Sequence, residues 1–188
     1  MQQRKRSFLR QVRRIDPKRI TFLDESGSHI GMTREYGWGR RGDRVRYSVP
    51  RNRGTVTTML GALKHDGISA LMTTEGATTG EIFSIFIKEA VAPTLRRGDV
   101  VVLDNLGAHK VVTAREAIHA RGASMLFLPP YHPDLNPIEP AWSKVKGHLR
   151  AREARTVPDL DRAILEGTER VTASDARGWF RHSGYQLK

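Results

Sequence analysis

Along this chain the apolar positions alternate between a period near two and a period near 3.6, and each switch predicts a new element. Phe8, Leu9, Val12 and Ile15 fall at helical spacing among Arg4, Lys5, Arg6, Arg10, Arg13 and Arg14, and Pro17 stops the pattern, which predicts a short basic helix or arm. The run Arg19-Ile-Thr-Phe-Leu-Asp24 predicts a first strand that ends at Asp24, with Glu25-Ser-Gly27 as a turn. Val56 to Leu63 and Ile68 to Thr73 read as two antiparallel strands joined through Lys64-His-Asp-Gly67. Thr78 and Glu81 are spaced as a capping box for a helix carrying Ile82, Phe83, Ile85, Phe86, Ala90 and Val91, which Pro93 ends. Asp99-Val-Val-Val-Leu-Asp104 is almost unbroken in β-branched residues, the mark of a central strand covered on both faces. Residues 111–121 read as a helix ended by Gly122, and Ser124 to Leu128 as a buried strand closed by Pro129-Pro130. Ile138, Trp142, Val145 and Leu149 then define a helix with Pro137 in its first position and Asn136 as its cap, and residues 159–172 define another.

The order is strand, strand, strand, helix, strand, helix, strand, helix. An antiparallel meander that leads into alternating helix and strand implies an α/β fold with a mixed sheet and helices packed on it, the element order of the ribonuclease H-like fold. The expected organisation is a basic arm at residues 1–18, a ribonuclease H-like domain at 19–173 and a tail at 174–188. At 188 residues the chain is long enough to bury a core without staples, and with no cysteine it has neither disulfides nor thiolate metal sites. No apolar run approaches the roughly 20 residues of a spanning helix, so no membrane partner is expected and the default location is the cytoplasm, at the nucleoid.

Charge narrows the class of partner. The chain has 32 Lys plus Arg against 20 Asp plus Glu, a net charge of +12, which favours a polyanion and first of all nucleic acid. The Gly-rich stretch from Gly37 to Arg44 places Arg40, Arg41 and Arg44 beside Trp38, so it suits a loop that lies along a phosphate backbone, with Trp38 stacking on a base or packing the loop down.

Three acids form the candidate chemistry. Asp24 is expected at the end of the first strand, Asp104 at the end of its neighbour, and Glu139 in the first turn of a later helix. Sites in such sheets gather at the carboxyl ends of adjacent strands, and period-two parity places Asp24 on the face of Ile20 and Phe22 and Asp104 on the face of Val100 and Val102. Grouped carboxylates repel unless a cation neutralises them. Hard oxygen ligands suit Mg²⁺ or Mn²⁺, and two such ions about 3.5–4 Å apart stabilise the attacking and leaving oxygens of a phosphoryl displacement. Each acid also has a plainer reading: the two Asp as strand-end polar residues, and Glu139 as the partner of an Asn136 cap. On the helix of Glu139, Ser143, Lys146 and Arg150 share its face while Trp142, Val145 and Leu149 take the core face. Glu25 adjoins Asp24 but points to the opposite face if the strand persists.

Phe22-Leu-Asp-Glu-Ser26, Leu103-Asp-Asn-Leu-Gly-Ala-His109 and Leu128-Pro-Pro-Tyr-His-Pro-Asp-Leu-Asn-Pro-Ile-Glu139 resemble the three signature blocks of insertion-sequence transposases related to the mariner superfamily. The 34 residues between Asp104 and Glu139 match the spacing of its D-D-E group, and the resemblance runs from about residue 20 to residue 155. It implies cut-and-paste transposition: hydrolysis of a strand at the element's end, then attack of the exposed 3′-OH on target DNA. Asp24, Asp104 and Glu139 would hold two Mg²⁺ ions, with Mn²⁺ as substitute, and His109 matches the family's His in its second block, a candidate to touch a phosphate or orient a ligand. Members generally act as dimers on paired ends.

Such proteins carry helix-turn-helix domains ahead of the catalytic domain, whereas only 23 residues precede Asp24 here. End recognition is therefore expected from elsewhere, for instance a separately encoded helix-turn-helix part, and this chain is expected to bind DNA with little sequence preference. Two other readings stand beside the transposase: a DNA-binding or regulatory remnant that no longer cuts, and a ribonuclease H-like nuclease acting on RNA or structured DNA.

Overall fold

The computed structural model describes residues 2–105 and 111–187. Its strands are β1 (Ile20–Ser28), β2 (Thr57–Lys64), β3 (Gly67–Glu75), β4 (Val100–Leu103) and β5 (Ser124–Phe127). Its helices are α1 (Gln2–Val12), α2 (Gly80–Ile85), α3 (Val112–Ala120), α4 (Ile138–Arg152), α5 (Val157–Glu169) and α6 (Ala173–His182). The strands form one sheet in the order β3-β2-β1-β4-β5. β1 pairs antiparallel with β2, and β2 with β3, while β1, β4 and β5 run parallel. This is the mixed sheet expected from the element order.

Alternation along the strands divides the core in two. Ile20 and Phe22 of β1, Met59 and Leu63 of β2 and Val100 and Val102 of β4 pack beneath α4, α5 and α6. Leu23, Leu60, Val101 and Leu103, on the other side, pack against Phe83, Phe86 and Ile87 and against Ala114 and Ile118 of α3. All four residues of β4 are buried, as a strand covered on both faces requires.

Three local expectations are corrected. β1 does not stop at Asp24: Glu25, Ser26 and Gly27 pair with Leu60, Met59 and Thr58, so tertiary pairing with a long partner strand overrides the local turn composition. The cap of α2 is Thr79 rather than Thr78, its hydroxyl accepting from the N–H of Ile82 at 3.2 Å. Beyond Ile85 the chain stays helical but widens to a π-helix over Phe86–Val91 and tightens to a 3-10 turn over Ala92–Thr94. Finally, α4 begins after Pro137 with no side-chain cap. Asn136 is buried instead, its Oδ1 lacking a hydrogen-bond partner, while its backbone carbonyl accepts from the N–H of Glu139 at 3.2 Å.

The C-terminal segment belongs to the same core. α6 crosses the expected division at residue 174 and opens with a capping box between Thr172 and Asp175. Lys144 of α4 reaches Asp175 at 2.5 Å, and this contact, with the Thr172 hydrogen bonds, holds the Asp175 carboxyl down to about 2. Beyond the helix, Tyr185 turns inward to stack edge-on against Phe22 and Phe180, with ring centroids 4.9 and 5.9 Å away. Its hydroxyl, kept protonated by burial, donates to the carbonyl of Leu135 at 2.6 Å. No helix among the described residues is long and apolar enough to cross a membrane.

Candidate active site

Asp24 lies in β1, and Asp104 immediately follows β4, which runs parallel beside it. Phe22 lies opposite Val102 in the register, and each Asp follows two residues further along its own chain. Asp24, within β1, shares by strand alternation the face of Ile20 and Phe22 on the α4 side of the sheet, while Asp104 lies just past the last residue of β4. Both are partly buried, and both have polar or electrostatic partners. Glu25 pairs with Leu60, on the α2 and α3 side, and so is directed away from Asp24.

Helix α4 is seated directly over this position by a glycine. Gly61 is the cross-strand partner of Asp24, and a Cβ built on it would stand 2.5 Å from Cη2 of Trp142. A side chain there would drive the indole away, so the glycine lets the first turns of α4 approach the sheet at the level of Asp24. Glu139 lies three residues before Trp142 and is exposed at the start of the helix. Among the described residues no group of three or more His, Cys, Asp or Glu side chains stands close enough to hold a metal ion. Asp24, Asp104 and Glu139 are thus not gathered into one metal-holding group in this structure; their carboxylates, one in β1, one just past the end of β4 and one at the start of α4, are hard oxygen donors of the kind that suit Mg²⁺ or Mn²⁺.

The basic residues expected to meet DNA have different fates. Arg40, Arg41 and Arg44 are exposed in the irregular segment 29–56 between β1 and β2, with Trp38 fully exposed beside them. Lys146 is half-buried on α4 and, with Arg53 and with burial, which acts most strongly, lowers the pKa of His29 just past the end of β1. Two cations, Arg53 and Lys146, thus lie close enough to His29 to act on it. Arg150 is already engaged, its Nε lying 2.8 Å from Glu35 of the irregular segment. His109 lies outside the described residues.

Two structural parts of the site were not singled out from sequence. Gly61 carried a signal, since an isolated glycine inside a strand pattern marks a close approach of another chain segment. Tyr185 carried none: one aromatic in a short polar stretch gives no period to read.

A family model described as DDE superfamily endonuclease matches residues 19–161, a span that contains all three candidate acids. Among solved structures, the chain is similar to the mariner Mos1 paired-end complex with Mg (TM-score 0.71, 19% identity, 98% of this chain and 58% of that one). It is also similar to the Mos1 paired-end complex with the left transposon end (TM-score 0.74, 16% identity, 94% and 55%). Against the Mos1 catalytic domain with raltegravir and Mg the TM-score is 0.66 at 15% identity, over 94% of this chain and 84% of that one. The chain thus spans somewhat over half the length of the Mos1 transposase chains in those paired-end complexes. At these identities the likeness shows the ribonuclease H-like fold. Among curated proteins none matches.

Proposed function

The chain belongs to the DDE superfamily of endonucleases, and from that premise we propose that it is the catalytic part of a transposase, in which Asp24, Asp104 and Glu139 hold Mg²⁺ or Mn²⁺. What supports this reading is that Asp24 of β1 and Asp104, one residue past β4, each follow by two residues the registered pair Phe22 and Val102 of adjacent parallel strands, at the level where Gly61 admits α4. Divalent cations held there would stabilise charge on the attacking and leaving oxygens of a phosphodiester. By fixing where those cations are held, the three carboxylates would set the position of the reacting phosphate at the carboxyl ends of the strands. Trp142 and its neighbours keep the floor of the site dry, and Lys146 with the arginines of segment 29–56 attract the DNA backbone. The chain would first free a 3′-OH at the element's end and then direct it at target DNA. Two copies on paired ends, with end recognition supplied by a helix-turn-helix part, complete the reading, and the isolated chain would bind DNA with little sequence preference.

The test is strand nicking of supercoiled DNA with Mg²⁺, comparing the wild type with Asp104→Asn. The substitution keeps shape and removes the charge that several kcal/mol of cation stabilisation depend on, so cleavage should fall at least about 100-fold. Nicking that is indifferent to Asp104→Asn, or that proceeds in EDTA, overturns the assignment.

A further inference from the structure

We propose that Tyr131 is a base-stacking residue, which takes the face of an unpaired base of the DNA strand beside the reacting phosphate. The inference rests on the endonuclease reading and adds a contact to it. Tyr131 is 86% exposed, yet the segment that carries it is tied to the core on both sides. On one side, the N–H of Leu128 bonds the carbonyl of Leu103 at 2.8 Å, which ties the segment to the residue just before Asp104. On the other, Tyr185 holds the carbonyl of Leu135, and Lys5 of α1 holds Asp134 at 2.7 Å. Leu128, Pro129, Leu135 and Asn136 are all buried, so the turn between them has little freedom.

Within this fixed turn Tyr131 has φ of 60°, one of only two non-glycine residues among those described with a positive value. It follows Pro130, in the kind of position where turns favour Gly or Asn. A bulky aromatic is disfavoured in that backbone conformation and gains nothing there from burial. What it gains is presentation: a flat ring held out in solvent from a rigid base. It stands three residues after Leu128, itself one strand spacing of about 4.8 Å from Leu103, so its backbone lies within about 16 Å of the end of β4, or under about five base steps along one strand. A π-face at that distance suits any base that is not already paired, because stacking is tolerant of sequence. Cleavage of the two strands at staggered positions at a DNA end would leave such bases.

The experiment measures binding of a fluorescent duplex with a three-nucleotide single-stranded end, against the same duplex made blunt, for the wild type, Tyr131→Ala, Tyr131→Trp and Tyr131→Gly. Tyr131→Ala should weaken binding of the frayed duplex about 10-fold and leave the blunt one unchanged, while Tyr131→Trp should restore it. Tyr131→Gly should lose the same preference while melting at a higher temperature than the wild type, which separates stacking from support of the fold. 2-Aminopurine placed in the overhang should be quenched by the wild type and by Tyr131→Trp only. Equal binding of both duplexes by wild type and Tyr131→Ala overturns the proposal, as does failure of Tyr131→Trp to restore the preference. Running Asp104→Asn through the same binding assay separates the two ideas: it should stack normally and fail to cut, whereas a chain that cuts without Asp104 leaves the stacking result standing on its own.

Discussion

The two ends of α4 are held by different kinds of force. Its first turns are set into the core: Trp142 rests on Gly61, Ile138 and Ala141 are fully buried, and the connection before them hangs from the hydroxyl of Tyr185. Its last turn and the residues just past it hold the irregular segment 29–56 by polar contacts near the surface: Arg150 to Glu35, Tyr47 to Glu153, and Arg155 to the carbonyls of Ile30 and Met32. Close packing tolerates little displacement, whereas exposed ion pairs exchange readily with other charges. The helix is thus rigid where the candidate acid sits and adaptable where a cationic segment would meet a polyanion. One element can fix a carboxylate and still let a neighbouring loop rearrange on DNA.

The largest effect should come from filling the close approach. In Gly61→Ala the new methyl would meet the Trp142 ring at 2.5 and 2.7 Å, and that ring is buried in the core. Overpacking of this kind destabilises by about 1–3 kcal/mol, and the relief available is a shift of α4 away from Asp24. Urea denaturation should show the loss, and nicking activity should fall further than stability alone explains at temperatures where the variant is folded. A Gly61→Ala protein with wild-type stability and activity would mean that α4 is not seated there.

A smaller, more local effect is expected from Tyr185→Phe. The ring contacts with Phe22 and Phe180 survive, but the buried carbonyl of Leu135 loses its donor, at about 1–2 kcal/mol. Because the bond holds the turn ahead of Glu139 rather than a group that touches substrate, Tyr185 is a positioning residue. The drop should appear in kcat at saturating DNA with KM little changed. A change in KM alone would assign the bond to DNA binding instead.

How much of this was legible beforehand follows from where each signal is stored. β4 was readable because a strand buried on both faces writes its environment into every position, and the hairpin between β2 and β3 because Asp66 and Gly67 are local turn chemistry. The three acids could be picked out because each lies next to a strongly patterned element. The far half of β1 could not: Glu25, Ser26 and Gly27 are strand only because β2 supplies their hydrogen bonds. The cap of α4 failed for a related reason, since Asn136 has a capping residue's chemistry but tertiary packing buries it. Tyr185 is a contact between residues 50 apart, and no local pattern encodes it.

The smallest effect on stability, and the sharpest on the loose end of α4, should come from Glu35→Gln. The pair with Arg150 is largely exposed, Glu35 at 57% and Arg150 at 33%, so its loss should move stability by under about 1 kcal/mol. Its effect on DNA should be larger in kind. Arg150 would be released to meet a phosphate without first leaving a carboxylate, and each phosphate contact adds about 0.9 to the slope of log affinity against log salt. If the wild type keeps the Glu35 pair on DNA, Glu35→Gln should bind tighter at low salt and show a slope steeper by about that amount. If the wild type already trades Glu35 for phosphate, affinity should rise with the slope unchanged, because the contact count is the same and only the competing carboxylate has gone. An affinity that does not rise at all would place Arg150 off the DNA path, and the polar strapping of segment 29–56 would then serve only to hold the loop to its helix.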